Sequence, residues 1–162
     1  MVVFSQTAVV CHKKKMKNIT LIVILILISN CQNNSNMENT QKEIIENYIK
    51  SYNNFDINGM TKDLSKDVVF ENISNGKVDL KTEGLVAFKE QAEAAKQYFK
   101  KRKQTIESWE ISDSMIVIGI SYKAILAIDL PNGLKKGDTL ELKGESNFEF
   151  ENGKIKRITD KS

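Results

Sequence analysis

From Gln104 to the end of the chain the apolar residues recur every second position, the period of a half-buried strand, and this alternation limits the fold more than any other feature. Thr105–Ile111, carrying Trp109, reads as one strand, Met115–Asp129 as a second, Thr139–Glu151 as a third and Lys154–Thr159 as a fourth. Asn152-Gly153 between Glu151 and Lys154 is the pair that a two-residue hairpin prefers, because both positions need a positive φ. Gly119 inside the long second strand predicts a bend or bulge. Leu130-Pro131-Asn132-Gly133 ends that strand. A sheet of this kind has one apolar face and needs a partner layer.

The partner layer comes earlier in the chain. Thr40-Gln41-Lys42-Glu43 has the spacing of a capping box and predicts a helix start. Ile44, Ile45, Tyr48, Ile49, Tyr52 and Phe55 come next at helical spacing. Asp56-Ile57-Asn58-Gly59 breaks this helix, and Met60–Leu64 predicts a short second one. Asp67–Asn72 alternates as a brief strand, with Val68, Phe70 and Asn72 on one side and Val69 and Glu71 on the other. Asn75-Gly76 marks a turn. Gly84 opens a third helix with Leu85, Phe88, Ala92, Ala95 and Phe99 in one stripe. Lys100, Lys101, Arg102 and Lys103 are expected at its C-terminal end, where the helix dipole favours cations.

Ahead of this domain lies a leader, residues 1–30, with four lysines (Lys13, Lys14, Lys15, Lys17) and no acid. The apolar run Ile19–Ile28 is shorter than the roughly 20 residues a spanning helix needs. A positive start, a short apolar core and small residues before a break are the layout of an export signal. Met16-Lys17-Asn18 is the expected true start. The chain has 24 basic and 21 acidic residues, so the portion from Cys31 onward carries a net charge of −1. The basic balance of the full chain therefore belongs to the leader, and no nucleic-acid partner is expected. The two cysteines are Cys11 and Cys31 and the single histidine is His12. A chain starting at Cys31 has no histidine, which excludes a Ser-His or Cys-His nucleophile pair and a Cys/His zinc site. No cofactor is expected either.

Ile28-Ser29-Asn30-Cys31 resembles the lipobox of bacterial lipoproteins. The resemblance implies lipid attachment at Cys31, a membrane partner through that lipid, and a place in the bacterial cell envelope. Residues 31–39, rich in Asn, are expected as a flexible tether, with one domain over 40–160.

Three stretches carry a second resemblance: Ile44–Tyr52, Asp67–Asn72 followed by Gly84, and Asn147–Ile155. Together with the element order they are similar to the nuclear transport factor 2-like family, which includes the SnoaL-like cyclases and ketosteroid isomerase. The resemblance implies an α+β, cone-shaped (cystatin-like) fold, with N-terminal helices packed on a strongly curved antiparallel sheet around a pocket. In the isomerase branch a Tyr and a protonated Asp hold the enolate while another Asp moves the proton. Tyr48 matches the Tyr, Asn72 falls at the proton-moving Asp, and Ser146 falls at the protonated Asp. An amide cannot serve as a general base, so steroid isomerisation is not expected. The epoxide-hydrolysing branch needs an Asp-Arg-Asp set, and after Cys31 the only arginines are Arg102 and Arg157, neither expected on a pocket-facing strand.

The residues expected to line a pocket are Tyr48, Tyr52, Asn72, Trp109, Tyr122, Ser146 and Phe148. The expectation is a non-catalytic domain binding a small apolar ligand or a protein partner, with no catalytic residue and no metal ligand assigned. Two alternatives stand beside it. One is an isomerase- or dehydratase-type enzyme moving a proton through Tyr48 and Glu71 or Glu145, the only acids expected near the site. The other is a structural homodimer paired through the sheet.

Overall fold

The computed structural model describes residues 36–112 and 115–162. The expected leader, the expected lipidation at Cys31 and residues 31–35 of the expected tether lie outside them. Gln41–Ser162 form one compact unit, which contains all six strands found among the described residues.

Helix α1 occupies residues 41–53 of this unit, and residues 36–40 are helical as well. The expected tether is thus helical at 36–39, and Thr40 is not a cap. Its hydroxyl donates back to the Asn36 carbonyl at 2.9 Å, the bond a mid-helix Thr makes. Ile45, Tyr48 and Ile49 are buried along one face, as their spacing requires. The second helix, α2, is Ile57–Thr61 rather than Met60–Leu64. The Asp56 carboxylate caps it, accepting from the Gly59 N–H at 2.9 Å, so the chain has already turned when Leu64 opens a strand.

Six strands surround α3 (Leu85–Lys96) in the chain: β1 Leu64–Ser74, β2 Lys77–Glu83, β3 Phe99–Ile111, β4 Met115–Leu126, β5 Thr139–Glu151 and β6 Lys154–Lys161. They form one sheet in the order β2-β1-β6-β5-β4-β3. Four of the neighbouring pairs are antiparallel, as expected; β1 and β6 pair in parallel, so the sheet is mixed. Asn75-Gly76 and Asn152-Gly153 both turn with positive φ at each residue, 51° and 74° in either case.

The structure departs from the sequence pattern at three further places. The strand β2 is absent from that pattern, because Lys77–Glu83 is nearly all exposed and lacks an apolar stripe. The tetrabasic run Lys100–Lys103 lies within β3, not at the end of α3, and Phe99 opens that strand rather than closing the helical stripe. Lys101 and Lys103 are exposed on this edge strand, a placement that discourages pairing with another sheet, while Arg102 turns inward and is buried. The bulge expected at Gly119 sits on the strand opposite, where the β3 register shifts between Ile106 and Ser108. There the Ser108 hydroxyl occupies the space a side chain on Gly119 would need.

The core is formed by α1, α2 and α3 against the inner face of the sheet, with Val68, Ile116, Ile118, Phe148, Ile155 and Ile158 almost fully buried. One glycine beside it is fixed by close approach. A Cβ on Gly144 of β5 would run into the backbone carbonyl of Lys161 on β6. Because backbone cannot rotate away, Gly144→Ala is expected to lower stability by about 1–3 kcal/mol, read as a shift of the urea midpoint without a change in slope.

Candidate functional site

Asn72 on β1, Asp160 on β6 and Ser146 on β5 are register partners, so they form one row across three adjacent strands. Residues directly opposite in neighbouring strands present their side chains on the same face. The row continues to Leu80 on β2 in one direction and to Ile118 and Trp109 on β4 and β3 in the other. A bulge between Asn72 and Ile73 interrupts the β1–β2 ladder beside it.

This row floors a hollow of two adjoining lobes. One, about 340 Å3, is walled by Tyr48, Phe70, Phe88, Ala92, Phe99 and Arg102. The other, about 270 Å3, is walled by Ile120, Tyr122, Leu140, Leu142 and Ser146. Tyr52, Asn72, Phe99 and Asp160 belong to both lobes. The size and the apolar walls with a few polar groups are those of a small-molecule site.

Asp160 is the carboxylate at the centre. The Ser146 hydroxyl, itself buried, donates to its Oδ1 at 2.5 Å. Loss of hydration raises the carboxyl pKa to about 6, with the Ser146 bond pulling in the opposite direction. At neutral pH the group is therefore poised close to its titration range, where a general acid or base is most useful. Glu71 and Glu145, expected to be the only acids near the site, are not its carboxylates. Glu71 points to the other side of β1, with Lys81 at 3.6 Å and Arg157 at 3.4 Å. Glu145 is exposed at the rim of the smaller lobe.

Three tyrosines line the same hollow, and two of them, Tyr48 and Tyr52, feel the charge of the acid. Burial pushes the Tyr48 phenol well above its usual range, and the negative charge on Asp160 adds to the shift. Burial likewise raises Tyr52 and Tyr122, whose hydroxyls face each other at 3.5 Å. All three remain protonated hydrogen-bond donors at physiological pH.

The end of α1 is docked by polar contacts. The Asn53 amide donates to the Gln104 carbonyl at 2.9 Å and accepts from the Gln104 N–H at 2.7 Å. Beside it, Arg102 Nε donates to the Tyr52 carbonyl at 2.8 Å. The guanidinium carbon lies 3.7 Å from the centre of the Tyr52 ring and 4.4 Å from that of Phe55. Phe55 adopts φ 58°, a conformation costly for a bulky residue, and this turn brings its ring over Arg102.

Of the seven pocket residues named from sequence, Tyr52, Asn72, Tyr122 and Ser146 line the smaller lobe, and Tyr48 the larger. Trp109 and Phe148 do not line the hollow. Trp109 packs on the core at the far end of the row, and Phe148 is wholly buried, edge-on to Tyr48 with ring centres 5.8 Å apart. Arg102 reverses the expectation that no arginine would sit on a pocket-facing strand. Asp160 escapes the sequence pattern because the alternation of the last strand stops at Thr159. One signal does point to it: Ile158 is a core residue, and two positions along a strand return to the same face. Ile155, also buried, obscures that parity, because the β5–β6 register shifts between Glu149 and Phe150 and inserts Lys156.

No protein-family model matches the chain. No curated protein matches it either. Solved structures do. A candidate polyketide cyclase from Xanthomonas campestris pv. campestris superposes with a TM-score of 0.66 at 18% identity, covering 78% of this chain and 92% of that one. A hypothetical protein with a ketosteroid isomerase-like fold from Catenulispora acidiphila, in complex with trimethylamine, gives 0.61 at 11% identity, over 73% and 83% of the two chains. TerC, co-crystallised with polyporic acid, gives 0.60 at 18% identity, over 75% and 89%. At such identities the likeness establishes the fold, which is the one expected from the resemblance: NTF2-like, also described as a cystatin fold.

Proposed function

We propose that this NTF2-like domain takes a small, mainly apolar organic molecule into the hollow and moves a proton on it through Asp160. The observation that carries this reading is one carboxyl, its pKa raised to about 6, on the floor of a hollow walled by aromatic rings. The reaction class is an isomerisation, dehydration or cyclisation in which a C–H bond next to a carbonyl is broken. Asp160 takes the proton, and the phenols of Tyr48, Tyr52 and Tyr122 are the donors available to the oxygen on which charge develops. The expected route through Glu71 or Glu145 gives way to Asp160, which lines both lobes of the hollow, whereas Glu71 faces Lys81 and Arg157 on the other side of β1 and Glu145 is exposed at the rim. Two fold neighbours, crystallised with polyporic acid and with trimethylamine, support a small-molecule ligand here.

A direct test uses 2-tetralone in D2O. The full chain should speed exchange of its α-protons, with a rate that rises as pH passes 6, and Asp160→Asn should reduce exchange to background. Equal exchange by Asp160→Asn, at unchanged tetralone affinity, would remove the catalytic part of the reading and leave a carrier. That second reading has its own support: Asn72 and Ser146 stand where the isomerase pattern has carboxyls.

The address belongs to the same proposal. The leader and Ile28-Ser29-Asn30-Cys31 support a lipid-anchored envelope protein whose hollow is held near a membrane. Cys31→Ser is expected to leave the precursor uncut and to abolish labelling by a radioactive or alkyne-tagged palmitate in the native host; undiminished labelling would overturn it.

A further inference from the structure

Arg102 is a buried cation, only 5% exposed, whose hydrogen-bonding capacity is not used up. Its Nε bonds the Tyr52 carbonyl and its plane is held between the Tyr52 and Phe55 rings, yet Nη2 is buried with no partner. Among the described residues no carboxylate forms an ion pair with it. An uncompensated buried charge is among the most expensive groups in a folded chain, and the helix end could be docked by the Asn53–Gln104 pair without a charge. Arg102 also lines the larger lobe, which shares Asp160 with the smaller one. The Tyr52 and Phe55 rings hold the guanidinium in place beside the lobe.

We propose that Arg102 is a specificity residue that receives an anionic group, a carboxylate or an ionised enol or phenol, on a ligand whose apolar body fills the lobe towards Asp160. This rests on the hollow being a small-molecule site and adds the class of molecule: small aromatic or alicyclic acids in preference to neutral analogues. The exposed Lys101 and Lys103 lie on the opposite side of the same strand and are the alternative source of any preference for anions.

The experiment compares 2-naphthoate, ionised at neutral pH, with uncharged 2-naphthamide by calorimetric titration of the full chain. Naphthoate is expected to bind about tenfold or more tightly, the value of one charge-assisted hydrogen bond. Arg102→Met should erase that preference, so that the two probes bind the variant within about twofold of each other. Equal affinity of the two probes for the unaltered protein overturns the role of Arg102 and leaves the hollow intact. Preference retained in Arg102→Met overturns it too and assigns the effect to the lysines. Failure of both probes to bind overturns the small-molecule reading itself. Should Arg102→Met not fold, the Arg102 Nε resonance of the unaltered protein decides: naphthoate should shift it and naphthamide should not, and a shift common to both overturns the proposal.

Discussion

Asp160→Asn is expected to make the protein more stable at pH 8 by about 2–3 kcal/mol and to remove its proton-transfer capacity in the same step. The stability gain arises from the raised pKa. The Asp160 carboxyl titrates near 3.8 when the chain is unfolded and at about 6 when folded. Below pH 3.8 both states hold the proton, and the group's full stabilising contribution is present. As pH rises from 3.8 through 6 the unfolded state releases its proton first, and that contribution is lost. The rise from 3.8 to about 6 corresponds to about 3 kcal/mol. Asn keeps the acceptor for the Ser146 hydroxyl and cannot ionise, so the variant should show no such loss. Urea unfolding at about pH 4.5 and about pH 8 checks this. The unaltered protein should be the less stable at the higher pH, and the difference should largely vanish in Asp160→Asn. Asp67, Glu83 and Asp129, which hydrogen bonds hold below the usual carboxylate range, lose their contributions only as pH falls below their ordinary values of 3.8, 4.5 and 3.8, at or under the lower of the two pH values compared. A pH-independent gap between the two proteins would refute the raised pKa. Loss of exchange together with a gain in stability would mark Asp160 as a residue that costs folding and serves the proposed reaction.

Phe148→Ala is expected to lower stability further than any other change named above, by about 3–5 kcal/mol. Phe148 is 0% exposed at the centre of β5, where it supports the Tyr48 ring edge-on. Removing it leaves a cavity between α1 and the sheet, and the flanking Tyr48 and Ile158 are held by their own packing and cannot fill it. The midpoint of urea unfolding measures the loss. A change under about 1 kcal/mol would mean that Phe148 borders open space, as a pocket residue would. The contrast with Asp160→Asn separates two places that a sequence pattern merges: one inward-facing residue packs behind the hollow, and the other lies on its floor.

Much of the fold is legible in the chain because its signals are local. Ile45, Tyr48 and Ile49 are three and four apart, and the strands from Met115 onward alternate. The Asn-Gly pair at 152–153 meets a φ requirement that few other residues meet. Each is decided within a few residues, by helix or strand period and by backbone sterics. The element order then suffices for the α+β architecture. The expected leader and lipobox are local patterns as well, and they lie outside the described residues.

Contacts between distant segments decide the rest. Lys77–Glu83 becomes a strand because β1 offers it hydrogen bonds, not because of its own pattern. β1 and β6 lie in parallel although the hairpins suggest antiparallel neighbours throughout, since strand order depends on how the whole sheet closes over α1. Arg102 reads as one of four charges until Tyr52 and Phe55, about fifty residues earlier, enclose it. Asp160 reads as a charged chain end until the register of β6 between β1 and β5 sets it between Asn72 and Ser146. The order of residues was enough to define the elements and the apolar faces that pack them, because propensity and periodicity act over a few residues. Only the closed fold selected which charges lost their water, because desolvation depends on every segment that surrounds a group, and the candidate chemistry of this protein rests on that loss.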